Sequence, residues 1–304
     1  MMSTLLPLAQ TALELGLIGS LTVLALFLSY SMLNVCDLST DGCFTLGAVV
    51  GAVVALSGHP YLSLPAAMLA GVASGFITAF LQTKMGIESL LAGIIMNTAL
   101  YSINIAFMGG SSLLNMNKTE TVFTKMQDLL GKDFPEIYKL VIATVAVVAV
   151  GIFLYFFLKT KIGLAIRATG NNPDMVRSSS INPTMTTIVG LCVANSFTAL
   201  SGCLLAQSQK SVNIDIGTGM VTIALASLLI GSTFVRSRRM GLRITGTVIG
   251  AFVFRLVYTI ALRFNMPAYM LKLVSSVIVI IAISGPYLKS RFPEFARRLE
   301  KRKC

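Results

Sequence analysis

The chain has 304 residues, 55% of them hydrophobic and only 12% charged, with 24 basic and 12 acidic side chains and a formal net charge of +12. An ordinary globular domain is about one-quarter charged, so too few polar residues are present to cover a water-exposed surface. Soluble enzymes and disordered chains are excluded, and repeated apolar segments able to cross a hydrocarbon core of about 30 Å predict an all-α, polytopic membrane helical bundle.

The first apolar window, 12–33, has no Lys or Arg before it and no small-residue cleavage pattern after it. It reads as a membrane span, not a signal peptide. The second, 42–57, is short and suits a tilted or buried central helix. Windows at 63–82, 88–108, 139–158 and 184–206 follow. The seventh, 218–234, is preceded or entered by Asp215, Thr218 and Thr222, the pattern of a broken span. Windows at 242–262 and 268–286 bring the total to about nine transmembrane helices.

Basic residues begin at Lys84 and cluster at 159–177, 236–243 and 289–303. The positive-inside rule puts those connections in the cytoplasm, so nine spans place the N-terminus outside and the C-terminus inside. The tail from Lys289 to Lys303 follows a span directly and faces anionic headgroups, not nucleic acid. Acidic residues Glu14, Asp37, Asp41, Glu88 and Asp215 are expected at span ends. The pairs Gly47/Gly51, Gly71/Gly75 and Gly246/Gly250 place small residues on one helix face, where another backbone can approach closely. Four of the five cysteines lie in or beside apolar segments and read as buried small hydrophobes. No metal-ligand spacing and no catalytic nucleophile with its base is visible.

The stretch 159–183, KTKIGLAIRATGNNPDMVRSSSINP, is far longer than a helix hairpin needs. Asn172-Pro173 reads as an N-cap followed by Pro at the first helical position, with Asp174 in the first turn. A short surface helix over 173–179 is predicted. Asn182-Pro183 repeats the device at the start of the sixth span.

This segment and the span after it resemble the permeases of ABC importers for branched-chain amino acids and for ribose and other simple sugars. The family pattern G-x-x-x-x-A-x-G-x-N, a short helix and then G-I-N is matched by Gly163, Ala168, Gly170, Asn172, Ile181 and Asn182. A second match is CDLSTDGCFTLGAVVGA at 36–52, similar to the family's D-L-S-x-G or N-x-x-x-G element before an L-G-A helix, with Asp37, Leu38, Ser39, Gly47 and Ala48 in register. Ser180 stands where the family usually has Gly, and Met175-Val176 replace its common small residues.

The resemblance implies a type II importer permease forming one transmembrane domain over 1–304, with an outer loop at 109–138, a cytoplasmic coupling loop at 159–183 and a basic tail at 287–304. It implies a multi-pass protein of the prokaryotic plasma (inner) membrane. Its partners are an ATP-binding subunit, a second permease subunit in a homo- or heterodimer, and an extracytoplasmic solute-binding protein. The ATPase is expected to engage Arg167, Gly170, Asn171, Asn172, Pro173, Asp174, Met175 and Arg177, next to Ile181 and Asn182. The chain contains no G-x-x-x-x-G-K-[ST] phosphate loop. ATP and Mg are therefore expected on the partner, with no cofactor, metal or catalytic residue here.

A translocation path needs polar groups on one helix face. Asn97, Tyr101 and Asn104 fall at i, i+4 and i+7 of the fourth span, and Asn195, Thr198 and Gly202 fall at i, i+3 and i+7 of the sixth, each set making one stripe. Either stripe also suits hydrogen bonds between helices. Arg255 sits about 12 Å inside the eighth span by helix rise. A guanidinium beside the path favours a carboxylate-bearing solute, hence an amino acid over a neutral sugar. A sugar or nucleoside permease is the next reading. An ion-coupled secondary transporter is weakened by the expected placement of the acidic residues at span ends.

Overall fold

A computed structural model describes residues 5–130, 137–235 and 239–263, with isolated positions between 273 and 284. Helix α1 (Leu5–Leu26) continues as a π-helical turn, Phe27–Met32. Then come α2 (Thr40–Leu56), α3 (Pro60–Thr83), α4 (Ser89–Phe107), β1 (Leu113–Asn115), α5 (Val122–Leu130) and α6 (Ile137–Phe157). The connection holds α7 (Lys161–Asn171) and α8 (Pro173–Ser178), and the chain goes on through α9 (Pro183–Gln209), β2 (Ser211–Asn213), α10 (Met220–Phe234) and α11 (Met240–Arg263). Eight predicted windows coincide with helices, while 268–286 lies largely, and 287–304 wholly, outside the described residues.

Helix α9 is the centre of the bundle, with α2 and α3 packed along it. Small residues make this possible. A Cβ on Gly47 would stand 2.1 Å from the Ala199 carbonyl oxygen, and one on Gly71 would stand 2.4 Å from that of Asn195. Gly250 meets the Ser227 carbonyl in the same way, at 2.1 Å, where α11 crosses α10. All three glycine pairs of the sequence thus sit at helix crossings, where close backbone approach replaces the hydrophobic drive that lipid does not supply.

Among the described residues, six helices are long and apolar enough to cross a membrane, whereas α2 and α10 are shorter. Both start inside the bundle, and each start is held by a carboxylate. Asp37 and Asp41 do stand at the start of a span, as expected, but that start is enclosed by the bundle. Asp37 is 1% exposed; its Oδ1 accepts the Ser39 N–H at 2.8 Å and its Oδ2 accepts Asn195 Nδ2 at 3.1 Å. Asp41 lies fifteen residues before Leu56, about 22 Å along α2. A helix starting inside the bundle presents unpaired N–H groups where water is scarce, so an acceptor is needed beside them, and here it is a carboxylate.

Past α4, β1 and β2 pair antiparallel with Leu113 opposite Asn213, tying the 109–138 connection to the α9–α10 connection. Neither this ribbon nor α5 was legible in hydropathy. Fully buried Gln207 joins them to the bundle: its Oε1 accepts the Val122 N–H at 3.0 Å and its Nε2 donates to Ser63 Oγ at 2.6 Å.

Ser180 adopts φ +60°, the left-handed region that glycine occupies without strain. The departure from the family pattern is therefore a local cost. Left-handed backbone costs a side-chain-bearing residue about 1–2 kcal/mol, offset in part by the greater unfolded-state freedom of glycine. Ser180→Gly should raise stability by about 0.5–1 kcal/mol, read as a higher Tm of the purified protein in detergent; a lower Tm would contradict this account.

Candidate functional site

Two sites emerge, a docking surface at the basic end and a polar cavity within the bundle. At the basic end, the connection is more ordered than its sequence suggested, because an eleven-residue helix, α7, precedes the predicted short one. Thr160 caps it by accepting the Gly163 N–H at 3.2 Å. Gly170 seats it: a Cβ there would stand 2.1 Å from the Met32 carbonyl oxygen, so α7 rests on the end of the first span. Asn172 then caps α8, its Oδ1 accepting the N–H groups of Asp174 at 3.0 Å and Met175 at 3.1 Å. Asn182 does the same for α9 through Thr184 N–H at 3.0 Å.

Helix α8 is anchored through one buried side chain, Val176, 3% exposed. The opposite face is open: Met175 is 66% exposed, and Asp174 and Arg177 form an exposed ion pair at 3.8 Å. Asn171, Pro173 and Ile181 are also exposed, and Arg167 is half-buried. The residues expected to engage an ATPase thus fall on one capped, rigidly seated projection.

Within the bundle, a cavity of about 290 Å³ lies between α2, α4 and the segment entering α10. Asn97, Tyr101 and Asn104 of the predicted α4 stripe all line it, with Thr98. From α2 come Asp41 and Thr45, and from the approach to α10 come Asp215 and Thr218. The expected break at the start of the seventh span is this approach segment. Asp41 holds it in place: its Oδ2 accepts the Gly219 N–H at 2.9 Å and its Oδ1 the Val221 N–H at 2.8 Å. The N-terminal charge of α10 is thereby answered from another helix, and the cavity wall holds two carboxylates and no basic side chain. Asn97 lies about 12 Å into α4 by helix rise and Asn104 about 4.5 Å from its C-terminal end, so the cavity runs from the middle of α4 towards that end.

The other sequence candidates lie elsewhere. Asn195 is 1% exposed and bonded to Asp37, and Thr198 is fully buried and donates to its own helix at Ala194. The α9 stripe therefore faces α2 and α3 as a packing seam. Arg255 lines a separate cleft of about 60 Å³ between α1, α10 and α11, its guanidinium 5.1 Å from the centre of the Tyr258 ring. Asp41 and Thr45 were missed because no spacing within the sequence links them to Asp215 and Thr218; the polar start of the seventh span was the available signal. Among the described residues, no cluster of His, Cys, Asp and Glu could hold a metal ion.

Residues 9–283 match the branched-chain amino acid transport system / permease component family. The chain belongs to that family. It is similar to the tyrosine transport system permease protein of Clostridioides difficile, 31% identical over 87% of this chain and 86% of the relative. It is also similar to the ribose import permease protein RbsC of Escherichia coli K12, 26% identical over 81% and 75%. Among solved structures, PsaBC from Streptococcus pneumoniae in complex with Fab shares the fold, with a TM-score of 0.53, 16% identity, and coverage of 93% of this chain and 94% of that one. The protein is an ABC transporter permease, a multi-pass transport component of the inner membrane.

Proposed function

We propose that the whole chain serves as one permease domain of an ATP-driven importer for an amino acid, oriented with α7 and α8 in the cytoplasm. The observation that carries this reading is the cavity within the bundle walled by carboxylates, amides and hydroxyls, with the broken approach to α10 at its edge. Such a wall offers acceptors to an ammonium group and donors to a carboxylate, the two groups every free amino acid carries. A neutral sugar needs neither carboxylate. The similarity to a permease named for tyrosine points the same way.

The α7–α8 projection receives a separate ATP-binding subunit, which holds ATP and Mg; this chain binds no cofactor. A second permease subunit completes the path, and an extracytoplasmic binding protein delivers the solute. Orientation follows from the basic residues flanking α7, α8 and α11. Arg255 stands apart from the cavity, so the preference for an amino acid rests on the cavity wall instead. The test is ATP-dependent uptake by proteoliposomes containing the full transporter. Labelled tyrosine or leucine should accumulate at least ten-fold above ribose, and ribose uptake without amino-acid uptake overturns the reading.

A further inference from the structure

The polar cavity contains one group that the fold leaves unanswered. Asn104 is 1% exposed, and its Nδ2 donates to the Gly42 carbonyl at 3.3 Å. That Oδ1 is buried and has no hydrogen-bond partner. Buried side-chain acceptors nearly always have one, and an exception in a native bundle calls for a ligand or a water. Asn104 lines the same cavity as the Asp41 and Asp215 carboxylates.

We propose that Asn104 Oδ1, with the carboxylates of Asp41 and Asp215 around the same space, is the seat for the protonated amino group of the solute. This rests on the amino-acid reading above and deepens it by naming the end of the solute that is read first. The chemistry is one-sided. An ammonium group carries three donors and no acceptor, and it fits a wall that offers an amide oxygen and carboxylate oxygens. The same wall repels a carboxylate brought to that end. An incoming anion finds no compensation in the dipole of α10 either, because Asp41 already occupies the N–H groups of Gly219 and Val221. The cavity selects for a cationic head with the rest of the solute extending along Tyr101 and Asn97.

Saturation-transfer NMR on the full-length protein in lipid nanodiscs tests this with three probes: L-tyrosine, tyramine, which lacks the carboxylate, and 3-(4-hydroxyphenyl)propionate, which lacks the amine. Tyrosine and tyramine should bind at least ten-fold more tightly than the deaminated acid. Asn104→Leu should remove that preference. Asp215→Asn, at an exposed position where folding is not at stake, should weaken both amines three-fold or more and leave the acid unchanged. Equal binding of all three probes, binding of the acid alone, or no binding of either amine overturns the proposal. So does displacement of the amines by sodium with no change in Asn104→Leu. Uptake of ribose without amino acids in proteoliposomes defeats the parent reading, whereas amino-acid uptake combined with equal probe binding defeats only this one.

Discussion

Asp41→Ala should lower the stability of the protein by about 2–3 kcal/mol and abolish uptake. The two N–H groups at the start of α10 donate to this carboxylate at 2.8 and 2.9 Å, and no other acceptor reaches them from their own helix. Hydrogen bonds to a charged acceptor contribute about 1.5–3 kcal/mol each, and the estimate is set below their sum because Asp41 is only half-buried and water entering the cavity restores part of the loss. A fall in Tm on the order of 5–10 °C in detergent follows. Asp41→Asn separates the roles of charge and geometry. Its amide oxygen accepts one N–H while its amide nitrogen faces the other, so about half the loss should remain. A Tm for Asp41→Ala within 1 °C of the original protein would show that α10 starts without this cap.

The same carboxylate shows where sequence reasoning stops. The apolar windows located eight described helices because lipid demands a long apolar run, and the three glycine pairs marked crossings because only small residues allow a backbone to approach another at under 2.5 Å from a notional Cβ. The caps Asn172 and Asn182 were legible because a cap acts on N–H groups two or three residues ahead. Asp41 acts on N–H groups 178 and 180 residues away, and no local pattern carries that information. The α4 stripe marked the cavity because three of its residues recur at helical spacing. The α9 stripe is equally helical in its spacing, yet Asn195 meets Asp37 from the loop preceding α2, and only the packing of α2 on α9 distinguishes a seam from a pore. Helix α7 was hidden for a related reason: Gly163 and Gly170 weaken its intrinsic helicity, and it is held by its seat on Met32.

Met175→Asp should cut ATP-driven uptake by at least ten-fold while leaving the fold intact. Met175 is the large apolar side chain on the open face of α8, 66% exposed on a six-residue helix that also exposes Asp174, Arg177 and Ser178. An exposed flexible thioether between Asp174 and Arg177 suits a partner's apolar pocket, and a carboxylate buried there without a counter-charge is strongly disfavoured. The free permease does not bury Met175, so its Tm should change by less than about 1 °C. Val176, one residue on, behaves oppositely: it is 3% exposed, and Val176→Asp should unseat α8 and lower stability by several kcal/mol. The Asp174–Arg177 pair adds a third arm. Exposed pairs at this spacing stabilise by at most about 0.5 kcal/mol, so reversing both charges should leave Tm unchanged and still disturb coupling. Uptake and permease-stimulated ATP hydrolysis, measured together in proteoliposomes with the ATP-binding subunit, distinguish the cases. Loss of uptake at unchanged Tm for Met175→Asp places the contact on α8, and unimpaired uptake removes α8 from the coupling surface.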